Sequence, residues 1–147
     1  MRRTGVLLFI LAGFAATAFA QIRKIPSEVT DAFKARYPHA EKVEWKDKIS
    51  SFEAGFILNG FEMSANFSSK GDWERSEKKI KFADLPKAVQ DGFDKSKYTG
   101  WEKSAAVEID DNGKPLIYRV FIKKSGVQKK YLYFDTNGRL NREAATL

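Results

Sequence analysis

An Asn59-Gly60 dipeptide between two alternating segments constrains this chain more than any other feature of its sequence. A two-residue type I′ turn needs positive φ at both central residues, which Asn and Gly adopt readily. The turn therefore predicts a hairpin over residues 52–67 in which Phe52 faces Phe67. One face of this hairpin is apolar and the other is mostly polar, which is typical of an antiparallel sheet covered on one side.

Two helical segments supply apolar faces that could cover such a sheet. The first covers residues 25–37, and Pro38 ends it. The second begins near Asp84, which is the predicted N-cap, and runs to about residue 97. The apolar residues at helical spacing, together with the apolar face of the hairpin, form the predicted core: Val29, Phe33, Phe56, Met63, Phe67, Val89 and Phe93.

The two halves of the chain resemble each other. The helical segments align at an offset of 60 residues, with Val29 on Val89, and the segments after Phe67 and Phe134 align at an offset of 67. Such matches predict two copies of one helix-then-strands unit. We expect an α+β fold of two tandem repeats, each a helix followed by and packed on an antiparallel sheet of about four strands.

The predicted organisation is a signal peptide over residues 1–20 and repeats over residues 21–82 and 83–147, the two repeats forming one compact unit. Because residues 73–81 are strongly charged, they are expected to form an edge strand of the first sheet.

The first twenty residues have the pattern of an export signal. Arg2 and Arg3 precede a short apolar run, and Ala18-Phe19-Ala20 is a small-residue cleavage site. The apolar run is shorter than the roughly 20 residues that a membrane span needs. We expect a mature chain that begins at Gln21, is not inserted in the membrane and is found in the periplasm or outside the cell. Intact-mass analysis that found Met1 retained on membrane-bound protein would contradict this.

Composition narrows the possible partners. The formal net charge is +7, of which Arg2 and Arg3 supply two units, and lysines alternate with acids along most of the chain. This pattern indicates a solvated surface with a mild preference for acidic partners, and nucleic acid is not expected for an exported chain. The sequence contains no cysteine, so stability does not depend on disulfides.

Four segments resemble one family of exported proteins. IPSEVTDAF at residues 25–33, Tyr37-Pro38, VEW at residues 43–45 and FDTNGRL at residues 134–140 are similar to the PepSY-like, or beta-lactamase-inhibitor-like, proteins of Gram-negative bacteria. The resemblance covers roughly residues 25–142. It implies helices packed on antiparallel sheet and a role in binding or inhibiting exported enzymes. The absence of cysteine distinguishes this chain from the disulfide-bearing inhibitor.

Residues that could carry chemistry do not form a recognisable catalytic or metal motif. His39 is the only histidine, and its position after Pro38 predicts an exposed loop residue. Glu108, Asp110 and Asn112 match part of a calcium-loop spacing, but Arg119 occupies the twelfth position and a hairpin turn explains the same residues. No phosphate loop, dinucleotide fingerprint or zinc spacing is present, so no cofactor is expected.

A group of aromatic residues in the second half exceeds what a core needs. If Leu132 and Phe134 point inward, Tyr131 and Tyr133 point outward, and alternation in the neighbouring strand places Arg119 and Phe121 on the same outer side. Aromatic residues and arginine are enriched at protein interfaces, so these four residues are the candidate protein-binding site. The alternatives are packing against the other repeat and a cross-strand aromatic pair that only stabilises the sheet.

Three functions are compatible with the sequence. The first is an exported non-catalytic module that binds or inhibits an envelope or secreted enzyme. The second is an envelope structural or stress protein without a specific partner, which a surface without a contiguous apolar patch would favour. The third is an enzyme that uses carboxylates such as Glu53 and Glu62, which a deep pocket with converging acids would favour.

Overall fold

The structure, a computed structural model, describes residues 23–146. The predicted signal peptide, its cleavage site and the new terminus at Gln21 lie outside these residues. In chain order the helices and strands are α1 (Ser27–Arg36), β1 (Glu41–Asp47), β2 (Ser51–Leu58), β3 (Phe61–Ser68), β4 (Trp73–Ile80), a 3-10 turn (Phe82–Asp84), α2 (Lys87–Asp94), β5 (Glu102–Asp111), β6 (Ile117–Lys123), β7 (Lys129–Asp135) and β8 (Leu140–Ala145).

The hairpin of β2 and β3 has the register that its turn predicts. Phe52 pairs with Phe67, and every following pair matches as far as Leu58 with Phe61. Asn59 and Gly60 have φ values of 51° and 81°, as a type I′ turn requires. Local turn chemistry and the alternation of apolar residues thus determine this hairpin.

The prediction of two tandem repeats, each with its own sheet, is wrong. All strands of residues 23–146 belong to one eight-stranded antiparallel sheet in the order β1 to β8. The two halves join at β4 and β5, which pair from Arg75 with Asp111 to Ile80 with Ala106. Two separate sheets would leave the backbone groups of both strands unpaired, and joining them satisfies those groups.

Two local predictions are also wrong. The β4 strand is internal, since it pairs with both β3 and β5. Its charges are accommodated by pairing across the ladder, as in the 3.6 Å ion pair of Lys78 with Glu108. Asp84 does not cap α2, since it belongs to the preceding 3-10 turn, and Pro86 occupies the N-cap without a side-chain hydrogen bond.

Both helices pack on the same face of the sheet. Val29 and Phe33 of α1 lie on β2 and β3, and Val89 and Phe93 of α2 lie on β5, β6 and β7. The predicted core residues are buried except Met63, which is partly buried. Within residues 23–146 neither helix covers the opposite face, which we call the outer face.

Candidate functional site

The outer face of β6 and β7 carries the candidate binding residues. Tyr118, Val120 and Ile122 of β6 and Leu132 and Phe134 of β7 are buried towards α2. Because side chains alternate along a strand, the residues between them project to the outer face. Arg119, Phe121, Tyr131 and Tyr133 are all partly exposed there, and we call these four residues the outer patch.

The structure brings the four residues of the outer patch together. Arg119 pairs with Tyr133 and Phe121 pairs with Tyr131 across the two strands. The rings of Phe121 and Tyr131 are 5.4 Å apart between centroids, and the guanidinium carbon of Arg119 lies 5.4 Å from the Tyr131 ring centre. The three aromatic rings and the arginine of the patch are therefore neighbours on this face.

Arg142 of β8 is a fifth residue of this surface, and the sequence pattern did not predict it. Its guanidinium carbon lies 3.7 Å from the centre of the Tyr133 ring. Leu140 pairs with Phe134, and a bulge then makes Arg142 rather than Asn141 the partner of Tyr133. A bulge shifts the alternation by one residue, so the usual hairpin rule would have placed Arg142 on the helix side.

Glu143, the residue after Arg142, holds the edge strand β8 on the helix side of the sheet. Glu143 accepts a hydrogen bond from the Tyr98 hydroxyl and forms an ion pair with Lys97 at 3.1 Å. The hydrogen bond from Tyr98 is the main reason that the pKa of Glu143 lies below its usual value. Since Glu143 is held on the helix side, Arg142 is directed to the outer face.

Arg119 of the outer patch and the nearby Arg75 are each bound to an acidic residue. Arg119 Nη2 donates to Glu77 Oε2 at 2.8 Å, and Arg75 Nη2 donates to Asp111 Oδ2 at 3.1 Å. The hydrogen bonding from Arg75 lowers the pKa of Asp111. These pairs connect β4 with β5 and β6 on the outer face and neutralise the charge of both arginines.

The outer face around Gly55 forms a groove of about 540 Å³ that is lined by many charged side chains and extends to Val107 and Arg119. Glu53 and Glu62 both line it, but Glu62 is paired with Ile57, four positions along β2 from Glu53. Glu53 pairs with Lys46 at 3.7 Å, and Glu62 forms an ion pair with Lys79. The groove therefore offers balanced charge pairs, and the arrangement of acids that would favour the enzyme hypothesis is not formed by these two residues.

The remaining chemical candidates lie apart from the outer patch. His39 is exposed between α1 and β1, as predicted for a loop histidine. The residues of the partial calcium spacing lie on β5 and in the turn where Lys114 N donates to Asp111 O at 3.0 Å. Among residues 23–146 no group of three or more potential ligand side chains is placed to hold a metal ion. In the same range no helix has the length and apolar character to cross a membrane.

Three known structures from Bacteroides species have the same fold. A BLIP-like protein of Bacteroides fragilis has 27% identity, with 83% of this chain and 86% of that chain aligned at a TM-score of 0.77. A DUF2874 family protein of Bacteroides uniformis has 26% identity, with 81% and 88% aligned at a TM-score of 0.77. A Bacteroides eggerthii protein described as a "putative periplasmic" protein shares the fold at 22% identity, 83% and 89% coverage and a TM-score of 0.77.

No curated protein matches this sequence. A family model, in contrast, matches most of the sheet. The family model described as "Putative beta-lactamase-inhibitor-like, PepSY-like" matches residues 50–142, which include β2 to β7, α2 and the outer patch. The chain therefore belongs to the PepSY-like, beta-lactamase-inhibitor-like family.

Proposed function

We propose that this chain is an exported, non-catalytic module that binds an envelope or secreted enzyme through the outer patch and inhibits it. The observation that carries the proposal is the distribution of large side chains over the two faces. Most of the aromatic residues on the helix side are buried in the core, whereas Phe121, Tyr131 and Tyr133 of the outer face remain partly exposed with Arg119 beside them. Rigid aromatic rings beside an arginine are the side chains in which binding energy usually concentrates.

The family and its neighbours support the location and the partner class. The family is beta-lactamase-inhibitor-like, and a solved structure of the same fold is BLIP-like. Another neighbour is described as periplasmic. Export also agrees with the signal pattern of residues 1–20. The first enzymes to assay for inhibition are accordingly β-lactamases, followed by other enzymes of the envelope.

Truncating the aromatic residues of the outer patch is expected to weaken binding. Tyr131→Ala and Phe121→Ala should each weaken capture of a partner from a periplasmic extract about tenfold or more, which corresponds to about 1.4 kcal/mol. Lys123→Ala, on the strand of Phe121, is the matched control. It should change capture little at physiological salt, because an exposed ion pair such as Lys123–Glu102 contributes little.

Thermal melts of the same variants separate binding from folding. Both aromatic variants should unfold at nearly the temperature of the parent, because neither ring lies in the helix-covered core. If both unfold early, the rings stabilise the sheet and the patch is not a binding surface. Once a partner is identified, its activity should fall as the parent protein is added and fall less with Tyr131→Ala.

A further inference from the structure

Arg142 differs from the two other arginines of this part of the outer face. Arg75 is bound to Asp111 of the neighbouring strand β5, and Arg119 is bound to Glu77 of β4, two strands away. Within residues 23–146 no carboxylate lies within ion-pair distance of Arg142, although it is exposed and its guanidinium stacks on Tyr133. Because the Tyr133 ring restricts the orientation of the planar guanidinium, the N–H groups of Arg142 are oriented to donate to an acceptor on another molecule.

The surroundings of Arg142 leave room for that acceptor. A depression of about 370 Å³ lies beside it, and its lining includes Arg75, Asp111, Lys114 and Tyr133. This volume is near the lower end of the range for small-ligand pockets. A protruding side chain of a partner would fit there better than a whole cofactor.

The charges on this part of the outer face favour an acidic side chain. Glu77 is bound to Arg119, and Asp111 is bound to Arg75 and lies 3.7 Å from Lys114. Asp135 Oδ1 accepts hydrogen bonds from the backbone N–H groups of Asn137 and Arg139 at 2.9 and 3.0 Å. These nearby acids are thus engaged within the protein, whereas the positive charge of Arg142 has no carboxylate partner among residues 23–146.

We propose that the outer patch receives a loop of a protein partner with an exposed Asp or Glu, whose carboxylate is bound by the Arg142 guanidinium. Arginine binds carboxylates through two parallel N–H···O bonds, which fix both position and orientation. The apolar neighbours of that acid would pack on Tyr133, Tyr131 and Phe121. This inference rests on the proposed function and adds the chemical class of the partner's contact. The competing explanation is that Arg142 only shields the Tyr133 ring.

Two synthetic peptides can test this without a natural partner. One is acetyl-Gly-Phe-Glu-Phe-Gly-amide, and the other has Gln in place of Glu. Each is titrated into the ¹⁵N-labelled mature chain while the Arg142 Nε–H signal and the backbone amides of the outer patch are followed by NMR. The Glu peptide should shift both sets of signals and bind about tenfold more tightly than the Gln peptide. Added salt should reduce the preference, because part of it is electrostatic.

Two variants assign the preference to the guanidinium. Arg142→Gln should abolish the tenfold preference, and Arg142→Lys should retain only part of it, because an ammonium lacks the planar fork. Arg139→Gln removes the same charge from the neighbouring turn and should leave the preference intact. A parent-like melting curve for Arg142→Gln would show that the arginine is not needed merely to cover Tyr133.

Several results would overturn the proposal. Equal binding of the two peptides, the absence of any shift at Arg142 with millimolar peptide, or an equal effect of Arg139→Gln would each exclude carboxylate recognition by Arg142. An equal shift with inorganic phosphate would mean an unselective anion site. None of these results would affect capture of a protein partner through Tyr131 and Phe121, so the failure of this inference can be told apart from failure of the proposed function.

Discussion

Phe93→Ala is expected to destabilise the protein by roughly 3–5 kcal/mol, the range for truncating a fully buried aromatic side chain. Phe93 has no exposed surface, and its ring meets the Phe82 ring edge-on with centroids 5.3 Å apart. The α2 helix has only 8 residues. Helices this short are not stable alone in water, so the packing of Phe93 and Val89 holds α2 in place. Phe33→Ala should have a similar effect on α1.

Chemical denaturation of the variants measures this loss directly. Phe61→Ala is the matched control, since it deletes the same side chain where 39% of the residue is exposed. That substitution should cost about 1 kcal/mol or less. A loss below about 1 kcal/mol for both Phe33→Ala and Phe93→Ala would contradict the packing of the helices on the sheet.

Gly138→Ala is expected to cost about 2–5 kcal/mol, a large effect for adding one methyl group. Gly138 lies in the turn between β7 and β8 with φ of 80°, where side chains are strained. A Cβ here would also overlap the Ala88 carbonyl oxygen and lie 2.5 Å from its carbonyl carbon. The clash involves the backbone of α2, so no side-chain rotation relieves it.

Gly113→Ala separates the cost of backbone strain from the cost of the steric clash. Gly113 has φ of 73°, but a Cβ there would have no atom within 4 Å. Gly113→Ala should therefore lower the free energy of unfolding by only the cost of backbone strain, about 1–2 kcal/mol. Equal losses of unfolding free energy for Gly138→Ala and Gly113→Ala would mean that the turn does not touch α2. The larger expected loss at Gly138 also bears on the binding surface, because this turn connects Tyr133 to Arg142.

Much of the outer patch could be predicted from alternation alone. Once Leu132 and Phe134 are assigned to the core, the pleat of a strand places Tyr131 and Tyr133 on the other face. The same rule applied to β6 places Arg119 and Phe121 beside them, and the observed pairing of the two strands agrees. The position of Arg142 could not be predicted this way, because the bulge on β8 reverses the alternation just before it.

The sequence by itself determined the elements whose information is local: the β2–β3 hairpin through Asn59-Gly60, and the helix faces through the spacing of Val29, Phe33, Val89 and Phe93. Only the tertiary structure decided that β4 and β5 join the two halves into one sheet. The charges of β4 are typical of an edge strand, and they are accommodated inside the sheet because partners distant in sequence, such as Glu108 and Asp111, neutralise them. Strand pairing of this kind depends on backbone hydrogen bonds that every residue type can form, so side-chain patterns within one segment do not identify the partner strand.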